Sequence, residues 1–287
     1  MPVFRSKSLI LVFLTILLAC KDAPAWTVDA GLVQRALANE VRAASGSQHP
    51  MRYRLRKSSP RLATTKEICE TKDGAVARLI AINDAPLSAA DEQREQARLE
   101  QLLSDPGKQR HRKQSQDDDT ARALKVLRSL PTAFIYEYLG SGQGSTGPVE
   151  KFSFKPNPKF DPPDLETHVL TRMSGELWID SAQERVTRLQ GRLQDDIDFG
   201  WGILGRLYKG GTILIEQTDV GEHQWRIVHF DMKMSARVVF KTKVFDTTED
   251  ETKYVPVPVG LKYQQAIAML RGKAETAKDS KGKRTGK

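Results

Sequence analysis

A period of two recurs along most of this chain and constrains its fold more than any other feature. In the run from Met51 to Lys57, apolar side chains at Met51, Tyr53 and Leu55 alternate with Arg52, Arg54 and Arg56. Successive side chains of a strand point to opposite faces, so the run specifies a strand with one face buried and one wet. TTKEICETKDG and AVARLIAIND follow, joined at Asp73-Gly74, a dipeptide suited to a tight hairpin. From Pro131 to about Val259 the same rhythm returns in AFIYEYLG, VEKFSFK, GELWID, RVTRLQGRL, GTILIEQ, HQWRIVHFDMKM and ARVVFKTKVF. A mainly β fold built on an antiparallel sheet is the expectation.

Helical spacing is confined to short stretches. Leu32, Val33, Leu37, Val41 and Ala44 lie near a 3–4 spacing, with Asp29 placed as N-cap and Gly46 as stop. Ser88, with Asp91 three residues on, caps a second helix that ends near Asp105-Pro106-Gly107. KQRHRKQSQ then reads as a mobile basic linker. A third helix, from about Asp119 to Leu130, is expected to stop before Pro131. Residues 88–130 thus form a helical insertion. Residues 263–287 are basic, without an apolar pattern from Arg271, and read as a disordered tail.

Arg5 and Lys7 precede SLILVFLTILLA, a 12-residue apolar run, and then CKDAPAW. These are the three regions of a secretory signal, so residues 1–25 are read as a signal peptide and the chain as an exported periplasmic protein. Ala23-Pro24-Ala25 permits cleavage before Trp26. Leu17-Leu18-Ala19-Cys20 instead resembles a lipobox, with Cys20 lipidated and the protein anchored at the outer membrane. Both stay open. The net charge of +9 favours anionic partners, and export removes nucleic acid from among them. Either processing route leaves Cys69 without a partner for a disulfide, so it reads as a small buried hydrophobe.

No motif carries catalytic or cofactor chemistry. Gly142, Gly144 and Gly147 match GxGxxG, but Pro148 and a strand follow where a dinucleotide site needs a helix. Asp195, Asp196 and Asp198 lack the order of a calcium loop and read as a solvated strand connection. The five histidines show no paired metal-binding spacing, and no GxSxG elbow exists. A non-enzymatic protein without a cofactor or metal is the expectation.

So few helices cannot cover so long a sheet, and an apolar cavity is the expected consequence. Its candidate wall consists of Tyr53, Leu55, Phe134, Tyr136, Tyr138, Phe152 and Phe154, then Trp178, Leu189, Ile213, Ile215, Phe230, Met232 and Phe240. Arg52, Arg54 and Arg56 are either the solvated face of their strand or a contact for an anionic membrane surface.

The run Gly175-Glu176-Leu177-Trp178-Ile179-Asp180, the turn after it and Arg185 to Leu189 carry a likeness. With Gln224-Trp225-Arg226-Ile227, and the order of one helix, three strands, a helical insertion and a strand meander, residues 26–262 resemble the LolA/LolB-like family of outer-membrane lipoprotein carriers. The resemblance implies a strongly curved, incomplete half-barrel with a helical lid. It implies that the cavity takes lipid or an acylated lipoprotein without catalysis. A sibling branch resembling RseB implies the alternative, an envelope sensor that receives a protein partner. The larger, more polar insertion and the basic tail depart from the carriers.

Overall fold

The computed structural model describes residues 31–46, 49–199, 205–238 and 241–282. Residues 1–25 with Cys20, the proposed cap Asp29, and Phe240 lie outside the described residues. Helix α1 (Leu32–Ser45) leads into β1 (Met51–Ser59), β2 (Leu62–Cys69), β3 (Val76–Ile82) and the short β4 (Ala85–Pro86). Helices α2 (Ala89–Ser104) and α3 (Pro106–Ala133) form the insertion. Then come β5 (Phe134–Gln143), β6 (Pro148–Pro156), the helical turn α4 (Leu165–His168), a 3-10 turn (Val169–Arg172), β7 (Met173–Asp180) and β8 (Arg185–Leu193). The hairpin β9 (Ile197–Phe199) and β10 (Gly205–Leu207), strands β11 (Thr212–Asp219), β12 (Trp225–Val238) and β13 (Lys241–Pro256), and helix α5 (Tyr263–Gly282) complete the chain.

The strands form a 13-stranded sheet in the order β4-β3-β2-β1-β13-β12-β11-β8-β7-β6-β5, with β10 paired to β12 and β9. Every pairing is antiparallel, and β4 and β5 stand at unjoined edges, so the sheet is an open, curved half-barrel. The predicted fold class is the one observed.

The insertion differs from its sequence reading. α3 is one helix of 28 residues, about 42 Å long, where a mobile linker and a short helix were expected. Its apolar content is low, and polar contacts hold it instead. Lys113 pairs with Asp117 at 2.6 Å, and Gln114 donates to Asp118 one turn on at 2.8 Å. Pro131 falls inside the last turn of α3 rather than ending it.

The insertion also completes the outer side of β3. The Leu79 N–H donates to Glu95 Oε1 (2.8 Å), and Arg98 Nη2 donates to the Ala77 carbonyl (2.6 Å). The Ala75 N–H donates to Gln116 Oε1 (2.9 Å), and Gln109 Nε2 donates to the Asp73 carbonyl (2.8 Å). Side chains of two helices therefore replace the missing strand neighbour and protect an edge open to intermolecular pairing.

A second correction concerns the tail. Residues 263–270 are the first turns of α5, and Tyr263, Ala266, Ile267 and Leu270 are buried. They pack with Leu99 and Leu102 of α2 and with Cys69 and Val76 of the sheet. Their 3–4 spacing gives α5 one apolar stripe beneath a basic composition. Cys69 is free and fully buried, and desolvation pushes its thiol up to about 11.

Gly175 and Gly191 face each other across β7 and β8. A Cβ on Gly175 would sit 1.8 Å from the Gln190 carbonyl oxygen, a backbone atom that no rotamer change removes. Gly175→Ala is therefore expected to cost about 3 kcal/mol, measured as a lower urea midpoint at unchanged slope. An unchanged midpoint would contradict this register.

Candidate functional site

Opposed residues of an antiparallel pair share a face, so the register sorts the side chains of the sheet. Two rows run across β5, β6, β7, β8, β11 and β12 on one face. The first is Tyr138, Phe152, Leu177, Leu189, Ile215 and Phe230. The second is Tyr136, Phe154, Gly175, Gly191, Ile213 and Met232. No position in either row carries a charge.

Helical cover on these rows is uneven. α3 packs at β5, the 3-10 turn at β6 and α1 at β8. Under that cover Phe134, Phe152, Phe154 and Leu177 are buried. Beyond it Leu189, Ile213, Ile215, Phe230 and Met232 are only half-buried. The candidate site is this partly covered trough, in which the Met173 side chain and Ile213 close over Gly191.

Thirteen of the fourteen predicted wall residues are described, and twelve of them share the apolar face. Nine belong to the two rows, Phe134 sits one step beyond on β5, and Tyr53 and Leu55 lie farther along on β1. Tyr138, at the rim, is 43% exposed.

Trp178 is the exception. Its row crosses the opposite face and reads Lys151, Trp178, Arg188, Glu216, His229, Asp250 and Arg56. Lys151 Nζ lies 4.1 Å and the Arg188 guanidinium 5.1 Å from the Trp178 ring. Arg188 then meets Glu216 at 2.5 Å, and His229 meets Asp250 at 2.8 Å. Trp178 is the aromatic link of a charged ladder and does not line the trough. In the pair Leu177-Trp178 both side chains are apolar, so alternation alone cannot choose between them.

The arginines of β1 lie on that charged face. Arg54 reaches Glu67 at 3.3 Å, and Arg56 grips both oxygens of Asp84 at 2.7 and 2.8 Å. Two of the three arginines proposed for a membrane contact are thus engaged by carboxylates of their own chain. Asp198, read as part of a strand connection, lies within β9, where Arg206 of β10 holds it at 2.6 and 2.9 Å; Asp196, in the connection between β8 and β9, accepts the Lys209 N–H (2.8 Å). Of the GxGxxG glycines, Gly142 lies in β5 and Gly144 and Gly147 in the hairpin loop after it, which is closed by Gly144 N–H to the Gly147 carbonyl at 2.8 Å. Among the described residues no cluster of three or more His, Cys, Asp or Glu is placed to hold a metal.

Beyond β12 the apolar face carries charge that escaped the sequence reading: Glu249 opposes Phe230 and pairs with Lys57 at 2.6 Å, and Glu251 lies on the same face. Glu251 opposes Leu55, and a bulge opposite Tyr53, with Lys253 at φ +61°, inserts one residue into β13. The insertion turns Tyr254 onto the same face, where its ring stacks on Tyr53 at 5.1 Å. The Tyr254 hydroxyl lies within reach of the Glu251 carboxylate and of the Ile227 carbonyl (2.9 Å). One O–H serves one acceptor, so a proton on Glu251 completes the set. Burial pushes the Glu251 carboxyl up to about 7, against the Tyr254 hydrogen bond; Glu249 and Glu70 add to the rise and Arg226 opposes it. Burial likewise raises the Tyr53 and Tyr254 hydroxyls.

The sign for stability follows from that rise. A carboxyl with a folded pKa near 7 against 4.5 unfolded holds its proton more tightly when folded. Its contribution is complete below pH 4.5 and is lost as pH climbs to 7. Glu251→Gln, which stays neutral, is expected to flatten this slope and to gain about 2 kcal/mol over wild type at pH 8. Denaturant midpoints measured from pH 4 to pH 8 check it.

No family model matches the chain, and no curated protein matches it. Two solved structures align with it at low similarity. An outer membrane lipoprotein-sorting protein domain from Vibrio parahaemolyticus aligns over 80% of this chain and 95% of that one, at 11% identity and a TM-score of 0.31. MucB in its complex with MucA(peri) aligns over 80% of this chain and 100% of that one, at 10% identity and a TM-score of 0.23.

Proposed function

We propose that this is an exported envelope protein that holds an acyl chain of a lipid or lipoprotein in the trough, without catalysis. The observation that carries the reading is the pair of uncharged rows across β5 to β12, buried at Phe152, Phe154 and Leu177 and only half-buried at Leu189, Ile213, Ile215, Phe230 and Met232. A saturated chain needs no directional contact there, and each methylene buried contributes about 0.8 kcal/mol. The charged face is internally paired, which leaves the apolar face as the side suited to cargo. The N-terminal signal pattern supports export, and no helix among the described residues is long and apolar enough to cross a membrane.

Native mass spectrometry of protein taken from its own host envelope without detergent, followed by organic extraction, tests this. Bound phospholipid or acylated peptide is the expected result, and the intact mass assigns Cys20 or Trp26 as N-terminus. Protein that is empty in every preparation would overturn the carrier reading in favour of a groove for a protein segment.

A further inference from the structure

The seam between β12 and β13 borders the half-buried end of the trough. Its ladder runs from Val238–Lys241 to His229–Asp250, one position past Phe230. Each strand also bulges near this end: Val228 is the extra residue of β12 against β11, and β13 gains one opposite Tyr53. Beyond the ladder the Tyr254 hydroxyl donates to the Ile227 carbonyl at 2.9 Å, so a side chain continues the seam where backbone pairing stops.

The same hydroxyl meets the Glu251 carboxylate, and the proton count decides which contact it makes. With a proton on Glu251, the carboxyl donates to the Tyr254 oxygen and the Tyr254 O–H stays on Ile227. Without it, the bare carboxylate draws the Tyr254 O–H, because a charge-assisted hydrogen bond is about twice as strong as a neutral one. The Ile227 carbonyl then loses its donor, and a further charge stands on the face that carries Phe230 and Ile215.

The groups around Glu251 disfavour that charge. β13 contributes Glu249 and Tyr254; β1 contributes Tyr53, stacked on Tyr254 at 5.1 Å, and Lys57, paired with Glu249 at 2.6 Å. Lys66 of β2 opposes Leu55, Glu70 follows that strand, and Arg226 of β12 is held by Glu70 at 3.3 Å. Lys57 and Arg226 are thus both engaged by other carboxylates, and burial pushes Glu251 up to about 7.

We propose that one proton at Glu251 switches the trough between a tight and a weak form for an apolar chain. The inference rests on the trough being the ligand site. In the tight form, favoured by acid, Glu251 is neutral and Ile227 is tied to β13. As pH rises through about 7 the carboxylate forms, the tie is lost, and a chain entering the trough has to desolvate a charge. Binding and proton uptake are therefore linked.

The test titrates 1-N-phenylnaphthylamine, a hydrophobic fluorescent probe that stays uncharged throughout, into the full chain between about pH 5.5 and about pH 8.5. Wild type is expected to bind it about tenfold more weakly at the alkaline end, with the midpoint near pH 7 and circular dichroism unchanged. Glu251→Gln cannot ionise and is expected to bind at every pH as wild type does at the acid end. Glu249→Gln removes a like charge and frees Lys57, so its curve keeps the same fall but moves about half a unit to lower pH. A purely structural carboxylate would not move a midpoint. A flat wild-type curve, a fall that Glu251→Gln retains, or a midpoint that Glu249→Gln leaves in place overturns the switch while the carrier reading stands. No probe bound at any pH overturns both.

Discussion

Ile215→Asp or Phe230→Asp is expected to weaken binding of a fluorescent fatty-acid probe at least about 100-fold, because the carboxylate must be desolvated where the chain lies. The two residues oppose each other across β11 and β12 and are only half-buried. Without a ligand the new charge keeps much of its water, so the fold survives with a small change in denaturation midpoint. Function and stability separate at these positions. Trp178→Arg, on the charged face between Lys151 and Arg188, is expected to leave probe affinity within about twofold. Fluorescence titration of the three variants checks both statements, and equal loss in all three would mean that unfolding explains the effect.

The largest expected loss of stability comes from Glu40→Ala. Glu40, 8% exposed, accepts from Arg185 Nε (2.8 Å), Arg185 Nη2 (2.9 Å) and the Val186 N–H (3.0 Å). One carboxylate thus fastens α1 to the start of β8, while the Arg185 guanidinium rests 5.5 Å from the Trp225 ring. Removing it leaves a largely buried guanidinium and a backbone N–H unpaired, at a cost of about 4 kcal/mol. Glu40→Gln retains part of the hydrogen bonding and is expected to cost about half as much. Urea denaturation of both variants measures the difference, and a loss below that of an ordinary surface substitution would show that α1 is not docked through this pair.

The strands were legible in the sequence because their alternation is strong, and the face they bury followed from the same alternation. The register then gathered Leu189, Ile213, Ile215, Phe230 and Met232 from three strands into one trough, a step no single strand contains. Trp178 went to the wrong face because its neighbour Leu177 is equally apolar and a shift in the β8 register follows at once. Glu251 and Tyr254 were invisible in the polar run DTTEDETKY, since one bulged residue at Lys253 decides where Tyr254 points. α3 was broken in two because what holds it is tertiary: it packs along α1, and Gln109 and Gln116 bond to Asp73 and Ala75 just before β3. Those are tertiary contacts with no period of their own. α5 does carry a readable stripe at Tyr263, Ala266, Ile267 and Leu270, and the lysines after it concealed the pattern.

Photocrosslinking with a diazirine-bearing fatty acid, followed by peptide mapping, tests the central claim most directly. The trough predicts adducts on the peptides of β8, β11 and β12, at Leu189, Ile213, Ile215, Phe230 or Met232, competed away by unlabelled fatty acid. Adducts confined to the charged face around Trp178, or labelling that no competitor reduces, would contradict it.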